Sequence, residues 1–289
     1  MRSGHEMMLG RLHRRKLYVK TRRRGTQKGS RRAGKAGTSL EFSDFRSYQP
    51  GDDIRLIDWN IYGRTQKHYI KRFLDEQEIH AAILLDATLS MQALDTKWVR
   101  AKEIAAALAY IALNGDDRLT FIPVSASAAG KITRKGTVYA KNVFNSILSV
   151  SGSDKPESFT ESILKESLKH TQTAILITDG MESLEGFEAL FRKLAGLRIE
   201  GKLIQVLSRE EVFPEKTGDL MLIDSETGQS VNVSMHENVI KLYQKRLDSH
   251  NGRLEDLCRK YGFTYITVTD ADDLQQFIFH TCTAKKVLE

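Results

Sequence analysis

Short apolar runs alternate with segments of helical periodicity along most of the chain. Ile79–Leu85 is apolar at nearly every position, and a polar loop separates it from the Ala-rich segment Val99–Leu113, which has the pattern of a buried helix. Strands that are apolar on both faces and are separated by helices are typical of a parallel sheet covered on both sides. The pattern therefore predicts an α/β fold with a mostly parallel sheet and helices on both faces. The other predicted strands are Leu119–Val124, Ala174–Ile177, Leu203–Leu207 and Tyr265–Val268, and the other predicted helices are Val143–Leu148, Ile163–Leu168, Phe187–Leu194 and Val239–Cys258.

Two regions depart from this alternation. Leu220–Ile223 and Val231–Val233 flank the polar segment 224–229, which predicts a β-hairpin inserted into the α/β body. Residues 25–37 are rich in Gly, Lys, Arg, Ser and Thr, a composition typical of an exposed loop or linker. We therefore predict three parts, which are a basic N-terminal arm (1–36), a segment packed on the body (37–78) and the α/β domain itself (79–289).

The positive charge is concentrated in the predicted arm. The chain of 289 residues has a net charge of +7, but residues 1–36 contain thirteen Lys and Arg and one acidic residue, which leaves the rest of the chain at −5. A basic arm could bind nucleic acid, an anionic membrane surface or an acidic partner. Its one aromatic residue, Tyr18, offers little for base stacking, and a solvated leader accounts for the composition equally well. We expect deletion of residues 1–24 to leave the melting temperature of the body nearly unchanged.

The composition also indicates the cellular compartment. Hydrophobic residues make up 40% of the chain and charged residues 28%, as in ordinary globular proteins. The longest strongly apolar run, Ile104–Leu113, is about half the length that spans a bilayer, and Met1–Arg15 lacks the apolar core of a secretory signal. Two cysteines do not make a disulfide framework. We therefore expect a cytoplasmic protein without a membrane span.

Oxygen-bearing side chains follow two of the predicted strands. Asp86, Thr88 and Ser90 follow the first strand, Asp179 follows the third, and Thr160 lies ahead of the helix between them. Ligands of such sheets bind at the carboxyl ends of the strands. One carboxylate and two hydroxyls at i, i+2 and i+4 in a tight loop can point at one centre, and hard oxygen donors with little charge suit Mg²⁺. The spacing therefore predicts a metal site to which Thr160 and Asp179 contribute directly or through water.

These residues also carry a resemblance to a known domain type. Asp86-x-Thr88-x-Ser90, followed by Thr160 and Asp179, resembles the metal-ion-dependent adhesion site of von Willebrand factor A domains. The resemblance implies that these five residues hold Mg²⁺ or Mn²⁺, and that an open coordination position accepts a Glu or Asp of a partner protein. Thr88 stands where adhesion sites usually carry Ser, which keeps the hydroxyl and adds a methyl group beside the ion.

The segment that precedes the first predicted strand resembles one particular family. Gly37–Asn60, which includes Tyr-Gln-Pro-Gly-Asp-Asp at 48–53 and Ile-Asp-Trp at 57–59, resembles domain-of-unknown-function family 58. These are bacterial proteins of von Willebrand factor A type, often encoded beside MoxR-type AAA+ ATPases, and the resemblance covers roughly residues 30–270. It implies a non-enzymatic protein-binding module that acts as an adaptor of a MoxR-type ATPase in the assembly or maturation of protein complexes.

The charged residues of this upstream segment have two interpretations. They alternate in sign around one tryptophan, and the set is Asp52, Asp53, Arg55, Asp58, Trp59 and Arg64. In the first interpretation they form turns and ion pairs that fasten the segment to the body, and Asp58→Ala destabilises the protein by leaving an arginine without its partner. In the second, they form a docking surface with Trp59 as its aromatic anchor.

Two other functions stay open on the sequence alone. A hydrolase could use the same metal ion to activate water, although the sequence offers no evident general base. A nucleic-acid-associated protein could act through the basic arm, and its binding to duplexes would then weaken steeply with salt.

Overall fold

The structure is a computed structural model that describes residues 9–20, 41–74, 78–126, 130–153, 157–214, 218–223 and 230–289. It divides the chain into a larger unit, Met1–Val19 with Ile79–Glu289, and a smaller unit, Lys20–Glu78. In chain order the elements are α1 (residues 9–12), β1 (Glu41–Ser47), α2 (Trp59–Thr65), β2 (Tyr69–Leu74), β3 (His80–Asp86), α3 (Leu89–Gln92), α4 (Asp95–Asn114), β4 (Arg118–Val124), β5 (Ile132–Lys135), α5 (Ala140–Leu148), α6 (Phe159–Lys165), β6 (Thr173–Thr178), α7 (Leu184–Gly196), β7 (Glu200–Leu207), α8 (Arg209–Val212), β8 (Gly218–Ile223), β9 (Ser230–Met235), α9 (Glu237–Lys260), β10 (Thr264–Thr269), α10 (Leu274–Gln276) and α11 (Cys282–Ala284).

A six-stranded sheet forms the centre of the larger unit. Its strand order is β10-β7-β6-β3-β4-β5, and all neighbours are parallel except β4 and β5. This confirms the predicted α/β class with a mostly parallel sheet. Each predicted strand and helix of this unit is present, with ends that differ by a few residues. The sequence pattern missed β5, because three of its four side chains are exposed and it carries no apolar run.

The core of the larger unit lies on both faces of the sheet. Along β3, Ala81, Ile83 and Leu85 belong to one apolar cluster. Ala82 and Leu84 belong to the other, as the alternation of side chains in a strand requires. Helices α4 and α5 cover the first face. Helices α6, α7 and α9 cover the second. The loops that follow the strands therefore meet at one edge of a sheet whose interior is closed to water.

Residues 9–19 are part of this core. Leu12, Leu17 and Val19 are at most 2% exposed. Leu17 forms an antiparallel bridge with Leu288, and the buried Lys202 Nζ donates to the Tyr18 carbonyl at 2.6 Å. The deletion prediction assumes that residues 1–24 contribute little to the core, and this assumption is wrong for Leu12 and Leu17, which belong to the apolar cluster on the first face of the sheet. Residues 21–36, which complete the predicted basic arm, lie outside the described residues.

The smaller unit contains an antiparallel pair of strands with a helix in the connection. β1 pairs with β2, and the register shifts between Phe42 and Asp44. In the connection, α2 begins after Asp58, whose carboxylate accepts hydrogen bonds from the backbone N–H groups of Asn60 and Ile61. A sequence reading based on apolar runs missed these elements, because polar residues interrupt both strands.

The predicted hairpin insertion is present as β8 and β9, which pair antiparallel from Gly218–Met235 to Ile223–Ser230. Its turn, residues 224–229, lies outside the described residues. Within the described part of the chain, no helix has the length and apolarity needed to cross a membrane.

Candidate metal site

The candidate metal ligands lie where two neighbouring strands end. β3 and β6 are parallel neighbours whose last paired residues are Leu85 and Ile177. The next residues, Asp86 and Thr178, are the last of β3 and β6. Asp179 follows Thr178 directly. The parallel register therefore brings the two aspartates to one edge of the sheet, as the sequence predicts.

The Asp86 carboxylate is held on both of its oxygens. Oδ1 accepts hydrogen bonds from the backbone N–H of Thr88 at 3.0 Å and from the Thr88 hydroxyl at 2.7 Å. Oδ2 accepts from the Thr178 hydroxyl at 2.6 Å. The Thr88 hydroxyl also lies 3.0 Å from the Ser90 hydroxyl. The oxygens of Asp86, Thr88 and Ser90 therefore converge, as their spacing of two positions along the chain allows.

Burial and charge make Asp86 unusual. It is 1% exposed. Burial, together with the nearby carboxylate of Asp179, raises the pKa of Asp86 to about 7, against the lowering effect of the Thr178 and Thr88 hydrogen bonds. Two carboxylates close together in a buried place repel each other, and a cation between them relieves that repulsion. The electrostatics of this edge therefore favour a positive charge beside the two carboxylates.

Thr160 has different hydrogen-bond partners from those of the Asp86 loop. Its backbone N–H and its hydroxyl donate to Glu182 Oε2 at 3.0 and 2.6 Å, and its hydroxyl lies 3.2 Å from that of Ser158. Glu182 also accepts from the Phe159 N–H, so its carboxylate fixes the start of α6. Glu182 is not among the predicted site residues, although its place three residues after Asp179, in the loop that follows β6, is a usable signal.

The loop that carries Asp179 is braced from β7 and α9. The Gln205 side chain donates to the Asp179 carbonyl at 2.8 Å, and His250 Nε2 lies 2.7 Å from the Gly180 carbonyl. Gly180 has a φ of +71°, and a Cβ there would lie 2.9 Å from the side chain of Leu254. Glycine is required at this turn for both reasons, so the third residue of the Thr-Asp-Gly sequence has a structural role.

A buried lysine, which is not among the predicted site residues, lies beside Asp179. Lys97, in the first turn of α4, has a side chain that is 1% exposed, and its Nζ lies 3.3 Å from Asp179 Oδ2 and 2.7 Å from Glu211 Oε1. Burial lowers the pKa of Lys97, but the carboxylates of Asp179 and Glu211 outweigh that effect and leave it raised. The ammonium group is therefore charged at neutral pH, next to one of the two aspartates.

The residues present fit a hard divalent cation. In the described part of the chain, no group of three or more His, Cys, Asp or Glu side chains is placed to hold a metal. The candidate ligands are instead two carboxylates and a set of hydroxyls, a donor set with little charge that suits Mg²⁺ or Mn²⁺ and not a soft metal such as zinc. The convergence of the Asp86, Thr88 and Ser90 oxygens is the structural feature that agrees with this donor set.

The second group of predicted residues lies in the smaller unit. Asp52 pairs with Arg46 and Asp53 with Arg55, each at 2.8 Å. Asp58 is the N-cap of α2, and Trp59 is 61% exposed. Arg64 is exposed near the end of the same helix. The helix cap therefore gives Asp58→Ala a cost of its own, in addition to the loss of an ion pair that the first interpretation predicts.

Comparisons with known proteins agree with part of the sequence analysis. Residues 44–253 match the model of the family described as "Protein of unknown function DUF58". The uncharacterized protein Mb1516 of Mycobacterium bovis is 23% identical over 271 residues, which is 91% of this chain and 85% of the relative. An aerotolerance-related membrane protein from Bacteroides fragilis and the conserved hypothetical protein BatB from Bacteroides thetaiotaomicron are 15% identical, with TM-scores of 0.40 and 0.36. Each of these matches covers 72% of this chain and 98% of the solved one.

Proposed function

We propose that this chain, which belongs to the DUF58 family, is a non-enzymatic, Mg²⁺-dependent protein-binding module of von Willebrand factor A type. The proposal rests on the convergence of the Asp86, Thr88 and Ser90 oxygens at the carboxyl edge of the sheet. Ligands of open parallel sheets bind at this edge. The matched family range contains all five candidate metal ligands.

Asp86, Thr88 and Ser90 would hold Mg²⁺ or Mn²⁺, with Asp179 and Thr160 contributing directly or through water. When bound, the ion supplies an open coordination position for a Glu or Asp of the partner protein. Hydrogen bonds from Thr88 and Thr178 fix both oxygens of Asp86, so its carboxylate needs little reordering to receive a cation. Few charged ligands leave the positive charge of the ion incompletely neutralised, which favours an acidic group on the partner.

The partner in this proposal is a MoxR-type AAA+ ATPase in the cytoplasm, and the chain acts as its adaptor in the assembly or maturation of protein complexes. The family resemblance is the support for this part. The basic residues between positions 1 and 36 make nucleic acid a second partner to test, although Leu12, Leu17 and Val19 of that stretch are buried in the larger unit.

Isothermal titration with Mn²⁺ tests the metal site. We expect the full chain to bind one Mn²⁺, and we expect Asp86→Ala to abolish binding because the hydroxyls lose the carboxylate that attracts the cation. Asp248→Ala, which removes an exposed carboxylate from α9, is the matched control and should bind as the wild type does. Saturating Mn²⁺ should raise the melting temperature of the wild type and of the control, through the linkage of binding to folding. Failure of the wild-type chain to take up Mn²⁺ at millimolar concentration would contradict the proposal.

Capture of a purified MoxR-type ATPase on the immobilised chain tests the partner. We expect capture in Mg²⁺ that is lost in EDTA and lost with Asp86→Ala. Capture that persists in EDTA and is lost with Trp59→Ala would show that the ATPase docks on the exposed tryptophan of the smaller unit and not at the metal.

A further inference from the structure

A buried ammonium group lies between the candidate metal site and a helix that is partly open to solvent. The Lys97 side chain is 1% exposed, that of Asp179 is 4% exposed and that of Glu211 is 28% exposed. The ammonium is nearer to Glu211, at 2.7 Å, than to Asp179, at 3.3 Å. One buried positive charge is therefore shared unequally between two carboxylates.

Glu211 is itself fixed in place. Its Oε2 accepts the backbone N–H of Ser208 at 2.7 Å, and the Ser208 hydroxyl accepts the Glu211 N–H, so the two form a capping box at the start of α8. Its backbone carbonyl accepts the hydroxyl of Tyr243, a partly exposed residue of α9. The distance between Glu211 and Lys97 is thus set by a helix terminus and by a contact with a second helix.

We propose that Lys97 is an internal counter-cation that competes with a bound divalent ion for Asp179, and that Glu211 sets the strength of this competition by drawing the ammonium toward α8. This inference rests on the proposed metal site and adds a positioning residue to it. Unit charges a few ångströms apart in a poorly solvated place interact strongly, so a change in the charge of either residue alters the cation affinity of the site.

The proposal predicts opposite changes in the affinity for the divalent ion when the charge of Lys97 or that of Glu211 is removed. Removal of the Lys97 charge leaves Asp179 free for the divalent ion, so affinity rises. Removal of the Glu211 charge leaves the ammonium to Asp179 alone, so affinity falls. A residue that only supported the fold would lower affinity when replaced, and the rise expected for Lys97 therefore separates the two roles.

The variants are Lys97→Met, which removes the ammonium and keeps an unbranched side chain one atom shorter, and Glu211→Gln, which keeps the capping box because Gln serves at that position as Glu does. Glu210→Gln is the matched control, since it removes the same charge from an exposed neighbour in the same helix. Lys97→Met leaves buried carboxylates without their counter-charge and is expected to lower stability in EDTA. Mn²⁺ should restore that stability, and circular dichroism checks the folding of each variant.

Titration of each full-length chain with Mn²⁺, followed by electron paramagnetic resonance of the free ion, gives the dissociation constants. We expect Lys97→Met to bind about tenfold more tightly than the wild type, Glu211→Gln several-fold more weakly, and Glu210→Gln within about twofold of it. Where Lys97→Met does not fold even with Mn²⁺, Lys97→Gln removes the same charge in its place, and a rise in affinity in that variant decides for the proposal.

The outcomes separate this inference from the proposed function. Binding by Lys97→Met but not by the wild type supports the role of Lys97 and overturns the Mg²⁺-dependent function of the natural chain. Unchanged affinity in Lys97→Met, or equal affinities in the Glu211 and Glu210 variants, overturns the counter-cation while the metal site stands. Absence of binding by both wild type and Lys97→Met overturns both.

Discussion

The packing of residues 9–19 predicts that replacement of one leucine near the N-terminus destabilises the larger unit. Leu17 is 1% exposed and belongs to the apolar cluster that also contains Ile278 and Leu288. Its neighbours in the chain pair with the C-terminus, because the Lys16 N–H donates to the Glu289 carbonyl at 3.1 Å and the Tyr18 N–H donates to the Val287 carbonyl at 3.0 Å. Leu17→Ala should therefore leave a cavity that this doubly held backbone cannot close.

The magnitude follows from the size of that cavity. Leu→Ala at a fully buried position lowers the free energy of unfolding by about 2–5 kcal/mol, and the larger values belong to sites that cannot collapse. Because the backbone on both sides of Leu17 is held by hydrogen bonds, we expect about 3 kcal/mol or more. For a unit of this size, that corresponds to a fall of about 6–12 °C in melting temperature.

Urea unfolding followed by far-ultraviolet circular dichroism measures the effect. Arg14→Ala is the control, since Arg14 is exposed in the same segment and its replacement should change the free energy of unfolding by less than about 0.5 kcal/mol. If Leu17→Ala lowers the free energy of unfolding by less than about 1 kcal/mol, or by no more than the control does, the segment does not pack as described and is a solvated arm.

Three other predictions address the two candidate sites. Burial raises the pKa of Asp86 to about 7. In the metal-free protein, the contribution of Asp86 to the free energy of unfolding is therefore fully present below about pH 4 and is lost as the pH rises through about 7. Urea unfolding at a series of pH values should show this decline for the wild type and not for Asp86→Asn. Asp58→Ala removes the N-cap of α2 and should cost about 1 kcal/mol, whereas an equal cost for Arg64→Ala would favour an ion pair over the cap. A Cβ at Gly186 would lie 2.7 Å from the hydroxyl of Thr160, one of the candidate ligands, so Gly186→Ala should weaken Mn²⁺ binding in calorimetry. Gly196→Ala is the control, because there is open space around Gly196.

The central sheet could be predicted because its strands are buried on both faces. β6 reads Thr-Ala-Ile-Leu-Ile-Thr, and each of its side chains is buried. A run of that kind is short, apolar and bounded by polar residues, which distinguishes it from a helix. The same property placed the candidate ligands, because the residue after a buried strand must lie at the edge of the sheet. The place of Asp86 and Asp179 in the fold is therefore predictable from the strands that precede them.

The packing of the N-terminus was not predictable on the same basis. The segment 9–19 contains three buried aliphatic residues, but basic and polar residues separate them, and the local composition is that of a solvated arm. Its place in the core depends on pairing with the last residues of the chain. Contacts between residues so far apart in sequence leave no local periodicity to detect.

Lys97 was missed for a related reason, and the reason bears on its role. Lysine is among the residues least often buried, so a lysine in the first turn of a helix is expected to face solvent. Here α4 is buried along most of its length, and its first turn lies against the loops that follow β6 and β7. A lysine held in such a place costs desolvation energy that a leucine would not, and the carboxylates of Asp179 and Glu211 offset that cost. Replacement of a buried ion pair by apolar residues is often neutral or stabilising, so stability alone does not account for the pair of Lys97 and Asp179. The burial of this ion pair at the mouth of the sheet is thus the structural reason to test the site with a divalent cation.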